Sequence, residues 1–143
     1  MIFSDLKWLN DIFLKVNIAK LPHGIIISGP PGLGKQLLAN EISSKLLVNK
    51  NSNTEDMSLI QANNHPDYFY LNKDKVLIHH ITYRKNKWDD EKGQRNINDF
   101  LSMTPSIAKN KVAVITNAQT MNDESQNALL KSLEEPSPNT YII

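Results

Sequence analysis

Eight consecutive residues, Gly29 to Gln36, have the types and spacing of a loop that binds phosphate. Glycines at positions 29, 32 and 34 allow successive backbone N–H groups to close around phosphate oxygens, and Lys35 can reach the outer phosphates. In such loops a serine or threonine follows the lysine and binds magnesium. Gln36 stands in that place. The sequence therefore predicts an anion site built from Gly29, Gly32, Gly34, Lys35 and Gln36 that lacks its usual metal ligand.

The segments on either side of the loop support this interpretation. Gly24 to Ser28 has the composition of a short buried strand. Gln36 to Leu47 has the pattern of a helix, because Leu38, Ile42 and Leu46 recur every four residues. The loop would then lead into a helix N-terminus, where anions are favoured.

Nucleotide hydrolysis requires more than a loop that holds phosphate. A second strand normally ends in one carboxylate that helps bind magnesium and another that orients the attacking water. The corresponding strand here, Lys111 to Thr116, is followed by Asn117 and Ala118. A neutral amide cannot help to remove water from Mg²⁺, which dehydrates reluctantly. Gln36, Asn117 and Ala118 therefore predict that hydrolysis is absent or very slow, although the loop could still hold phosphate, sulfate or a weakly bound nucleotide.

The remaining sequence alternates helical and extended patterns, with two polar stretches, Asn49 to Asn64 and Trp88 to Asn98, expected to be surface loops. The other predicted elements are a first helix from Phe3 to about Asn17, a strand at Tyr68 to Leu71, a small strand or hairpin within Val76 to Tyr83, a short helix near Ile97 to Leu101, and a final strand at Asn139 to Ile143. This order predicts an α/β fold, a parallel sheet with helices on both faces.

A longer helix should follow Asn117 and Ala118. Asn122 is a suitable N-cap and Pro136 ends the helical pattern. Leu129, Leu130 and Leu133 are expected on its inner face.

Composition narrows the function classes. The 143 residues suit one domain, and a net charge of +1 gives no general attraction to nucleic acid. With no cysteine there is neither a disulfide nor a thiolate zinc site, and the four histidines have no shared ligand spacing. No apolar run approaches the ~20 residues needed to cross a bilayer, so a cytoplasmic protein without membrane contact is expected.

Five segments together carry a family resemblance: Leu21 to Gly24, Gly29 to Lys35, His65 to Tyr68, Lys111 to Thr116, and Ala128 to Pro136. The last of these segments is the most specific. They resemble the N-terminal AAA+ domain of bacterial clamp-loader subunits, and among these the delta prime subunits of DNA polymerase III. Delta prime subunits often have a degenerate phosphate loop and lack the second-strand acids. The sister gamma/tau subunits would carry a zinc insert where this chain has Asn49 to Asn64.

The resemblance implies a P-loop NTPase (AAA+) type core over residues 1–143, truncated after the fourth strand, without lid or C-terminal collar domain. It implies a stator-like, non-hydrolysing subunit of the DNA polymerase III holoenzyme, with no zinc or other required cofactor. Its partners would be the gamma/tau and delta subunits and, through the complex, the sliding clamp and primed DNA. The family's Ser-Arg-Cys arginine is not in this chain, whose arginines are Arg84 and Arg95.

Two other function classes fit the residues. An active P-loop ATPase or kinase could recruit its metal through Gln36 and an acidic residue outside the usual position. An unrelated phosphate-binding or partner-binding module could retain the loop alone. Magnesium-dependent ATP turnover that is lost in Lys35→Ala distinguishes the first, and failure to assemble with clamp-loader subunits distinguishes the second.

Overall fold

The computed structural model describes residues 2–48, 54–84 and 95–143. Within these ranges the helices are α1 (Lys7–Phe13), α2 (Lys35–Leu47), α3 (Thr54–Gln61), α4 (Ile78–Ile81), α5 (Ile97–Ser102) and α6 (Asp123–Glu134). The strands are β1 (Tyr68–Leu71), β2 (Lys111–Ile115) and β3 (Thr140–Ile142). No described helix has the length and apolar character required to span a membrane.

The three strands form one parallel sheet with β2 in the centre. Side chains alternate across a strand, so neighbours along β2 enter different cores. Val112 and Val114 pack in the core that contains residues of α1, α2 and α3. Ala113 packs in the second core with residues of α4, α5 and α6. The predicted parallel sheet with helices on both faces is therefore confirmed.

The strand predicted at Gly24 to Ser28 is reduced to a single bridge. Gly24 pairs with Ile142, and the backbone N–H of Ile25 donates to the Ile142 carbonyl at 2.9 Å. Beyond that point Ile26 is 93% exposed, so the prediction of a buried strand over the whole segment is wrong. The described backbone contacts of this segment with β3 are those of His23, Gly24 and Ile25, so the ladder does not extend to Ile26.

Two predicted irregular or extended segments are helical. Within Asn49 to Asn64, residues Thr54–Gln61 form α3, in which two acidic residues of the first turn suit the helix dipole and Ile60 is buried. The hairpin predicted within Val76 to Tyr83 is instead α4, whose first turn is closed by the Leu77 N–H donating to His80 Nδ1 at 2.9 Å. Residues 49–53 and 85–94, which include most of the second predicted loop, lie outside the described ranges.

The helices at the two ends differ in detail from the predictions. The first is a 3₁₀ turn followed by α1, which ends at Phe13 rather than near Asn17. Helix α6 begins as predicted, with the Asn122 side chain accepting from the Ser125 N–H at 2.9 Å. Leu129 is buried, but Leu130 is 45% exposed and does not belong to the inner face.

Candidate phosphate-binding site

The backbone of the predicted phosphate loop depends on glycine at two positions. Gly32 and Gly34 both have φ of +80°, a region that residues with a Cβ rarely adopt. Gly34 is also the N-cap of α2 and lies against α1. A Cβ on Gly34 would come within 2.7 Å of Leu9 Cδ1 and 3.1 Å of Leu6 Cδ1, so this position requires glycine for two separate reasons.

Lys35 closes the loop onto itself. Its Nζ donates to the Gly29 carbonyl at 2.6 Å and to the Pro30 carbonyl at 2.8 Å. An ammonium group has three N–H donors, so two hold the loop and one remains for an anion. The lysine thus lies where a phosphate-binding loop needs it.

Gln36 is exposed at the second position of α2. Its amide is neutral and lies on the surface at the start of the helix. The sequence prediction that this position no longer binds magnesium stays a prediction. Among the described residues, no group of three or more histidine, aspartate or glutamate side chains could hold a metal ion.

Asn117 has a defined structural role at the end of β2. Its φ of +53° lies in the left-handed region, which asparagine tolerates better than most residues. Its Nδ2 donates to the Lys73 carbonyl at 2.9 Å. One residue earlier, Thr116 Oγ1 donates to Asn72 Oδ1 at 2.8 Å. Both contacts join the chain after β2 to the chain after β1.

Ala118 begins a 3₁₀ turn that completes this connection. Thr120 Oγ1 donates to the Asn117 carbonyl at 2.6 Å and accepts from the Val76 N–H at 2.9 Å. The structure therefore places Asn117 and Ala118 beside residues 72–76. Of the hydrogen bonds described for these two residues, none reaches the phosphate loop.

Sequence reasoning missed Asp67, which is 1% exposed. Its carboxylate accepts three backbone N–H bonds, from Ser106 at 2.5 Å, Ile107 at 2.8 Å and Ala108 at 2.7 Å. The side chain thus fixes the segment that enters β2. Its position directly after a proline and before β1 was the available signal.

Lys111 was also missed, because it begins a strand that is otherwise apolar. It is 1% exposed, and its Nζ donates to the carbonyls of Phe100 and Met103. The ammonium also lies 4.3 Å from the centre of the Phe100 ring. Burial lowers the pKa of Lys111, while Asp67 acts to raise it.

His23 connects the segment before the phosphate loop to α6. The His23 Nε2–H donates to the Leu133 carbonyl at 2.5 Å. A Cβ on Gly24 would lie 3.3 Å from Leu133 Cδ2, so the backbone passes close to the helix. The chain that leads into the loop is therefore anchored on the last turns of α6.

A parallel sheet covered on both faces, with a glycine loop leading into a helix that starts at its lysine, defines the P-loop α/β class in its AAA+ form. The family model described as "DNA polymerase III, delta subunit" matches residues 7–143. The chain belongs to this family.

Individual relatives agree with the family model. The chain is 31% identical over 131 residues to DNA polymerase III subunit delta' of Pseudomonas aeruginosa, and 30% identical over 126 residues to that of Escherichia coli K12. These alignments cover 87% and 84% of this chain but 37% and 35% of the relatives. The chain thus spans about a third of the length of the curated relatives it matches.

A solved structure supports the fold. The crystal structure of a DNA polymerase III gamma subunit-related protein from Thermotoga maritima is similar with a TM-score of 0.57 and 20% identity. The similarity covers 96% of this chain and 37% of that one. At this identity the likeness concerns the fold alone.

Proposed function

We propose that this chain is the P-loop core of a delta prime-type subunit that acts in DNA replication without hydrolysing ATP itself. In this role it is a stator-like member of a DNA polymerase III clamp-loader complex. Its partners are the gamma/tau and delta subunits, and through the complex the sliding clamp and primed DNA. Membership of the delta-subunit family and the delta prime relatives support the assignment.

One observation carries the non-hydrolysing part of the proposal. The groups that grip an anion are kept, since Lys35 spans the loop and the glycines keep their positive φ. The groups that handle metal and water are replaced. Gln36 is exposed and neutral, and the Asn117 amide is occupied by the Lys73 carbonyl. The position of Ala118 carries only a methyl group.

The same contacts suggest why the loop would remain after hydrolysis was lost. Gly34 packs against α1, and the loop begins the helix that supplies much of one core. The loop therefore supports the fold whether or not a nucleotide is present. Phosphate, sulfate or a nucleotide would bind there weakly, with no zinc and no required metal.

The decisive test measures phosphate release by the full-length protein with Mg-ATP. We expect a rate equal to that of the Lys35→Ala variant, since Gln36, Asn117 and Ala118 offer no carboxylate that would bind magnesium or activate water. A rate well above the variant's would instead support the alternative, an active P-loop ATPase or kinase with atypical metal recruitment. Lys15→Ala, which alters an exposed lysine outside the loop, is the matched control.

Assembly with the other clamp-loader subunits is tested by a separate measurement. We expect the full-length protein to co-elute with gamma/tau and delta subunits and to increase the ATP turnover of the resulting complex on primed DNA. Lys35→Ala should preserve this stimulation, because the proposal assigns no hydrolytic role to the loop. Failure to co-elute would favour a phosphate-binding or partner-binding module of another kind.

A further inference from the structure

A cavity of about 550 Å³ lies at the amino ends of the strands. The described residues that line it are Pro66, Arg95, Met103, Thr104, Ser106 and Lys111. Lys111 is the first residue of β2, and Pro66 comes two residues before β1. The phosphate loop follows the carboxyl end of its own extended segment, so the cavity and the loop are at opposite edges of the sheet.

The described lining of the cavity is cationic. Among the lining residues that the structure describes, Arg95 and Lys111 carry a positive charge and none carries a carboxylate. The described partners of the Lys111 ammonium are neutral: two carbonyl oxygens and a phenyl ring. The negative charge of Asp67 offsets part of the cost of burying this ammonium, although the Asp67 oxygens accept backbone N–H groups in the described hydrogen bonds. A buried cation that is only partly compensated remains costly, and an anion in the cavity would lower the remaining cost.

The electrostatics of Lys111 agree with this geometry. Burial has the largest effect and lowers the pKa of Lys111, Asp67 opposes it, and the positive charge of Arg95 lowers it further. Arg95 is thus near enough to repel the ammonium. A bound anion would be attracted by both cations.

We propose that this cavity binds a small phosphate-bearing anion. Arg95, which is exposed, supplies a planar group that can donate two parallel hydrogen bonds to phosphate oxygens. Lys111 supplies a fixed buried charge, and the hydroxyls of Thr104 and Ser106 are the further donors. The volume is in the range of pockets that hold small ligands and exceeds what one phosphate needs. The cavity therefore has room for either a free phosphate ion or a small phosphate ester.

Backbone amide shifts test the proposal in the ¹⁵N-labelled full-length protein. Inorganic phosphate is titrated at constant ionic strength while the amides of Thr104 and Ser106 are followed. We expect saturable shifts there, and Arg95→Gln should weaken the binding about tenfold by removing a charged donor pair. Arg84→Gln is the matched control, because Arg84 forms a surface pair with Glu124.

The phosphate loop is a second anion site and has to be separated from the cavity. Lys35→Ala should abolish the shifts of Gly32 and leave those of Thr104 and Ser106 unchanged. Nucleoside monophosphate in place of inorganic phosphate identifies the source, since tighter binding of the ester indicates an esterified ligand. The proposal is overturned if Thr104 and Ser106 show no saturable shift, or if Arg95→Gln binds phosphate as tightly as the wild type.

Discussion

Replacing Asp67 by asparagine should destabilise the protein more than any loss of a surface charge. The carboxylate is 1% exposed and accepts three backbone N–H bonds, one on Oδ1 and two on Oδ2. Asparagine has nearly the same shape but a single acceptor oxygen. One of the three N–H groups would then face the NH₂ of the amide, and the other two would lose a charged acceptor.

The magnitude of this loss follows from the three bonds. Hydrogen bonds to a charged group contribute about 1.5–3 kcal/mol each and neutral ones about 0.5–1.5 kcal/mol, so two weakened bonds cost about 2 kcal/mol. The unpaired N–H adds about 1–3 kcal/mol when buried. Because Ser106 is exposed and water can reach its N–H, the low end applies. We expect the free energy of unfolding to fall by about 2–4 kcal/mol.

Urea unfolding, followed by circular dichroism, measures this change as a lower midpoint at an unchanged slope. Asp11→Asn is the matched control, since Asp11 is exposed on α1, and it should stay within about 0.5 kcal/mol of the wild type. A loss below about 1 kcal/mol for Asp67→Asn would refute the reasoning, because the carboxylate would then not be holding the segment before β2.

Three further changes test other parts of the structure. Gly34→Ala should lower the free energy of unfolding by about 2–5 kcal/mol, because of the positive φ and a clash with α1. Gly32→Ala should lower it by about 1–2 kcal/mol, because this glycine has the same positive φ but open space around it. Thermal unfolding of both variants measures the difference. Burial lowers the pKa of His65 from 6.5, so the unfolded chain binds the proton more readily than the folded one. The contribution of His65 to the free energy of unfolding is therefore fully present above pH 6.5 and should decline as the pH falls below that value. Urea midpoints at pH 7.5 and 5.5 should show this decline, reduced in His65→Gln. Lys35→Ala should weaken sulfate binding at the loop by about tenfold or more, measured by calorimetry, and an unchanged affinity would show that the backbone alone holds the anion.

The elements that could be predicted from the sequence are those set by local signals. β2 is a run of β-branched and apolar residues, and α6 has an asparagine cap and a proline stop, so neither needs distant contacts to be recognised. The phosphate loop is equally local, because its glycines and lysine are adjacent along the chain. The predictions of β2 and α6 are confirmed, and anion binding by the loop stays a prediction.

The elements that failed depend on distant partners. Whether Gly24 to Ser28 is a strand depends on its pairing with β3, more than a hundred residues later. Helix α4 has only four residues, too few to show a period. Asp67 acts on backbone groups about 40 residues away. Lys111 looks like a solvent-exposed strand end until Phe100 and Met103 are placed around it.

The hydrogen bond between His23 and Leu133 has a mechanical consequence. Leu133 lies in the last turn of α6, and His23 is six residues before the first glycine of the phosphate loop. One imidazole therefore couples that end of the helix to the extended segment that leads into the loop. We expect a partner that moved this end of α6 to shift His23, and with it the start of the segment that precedes the loop.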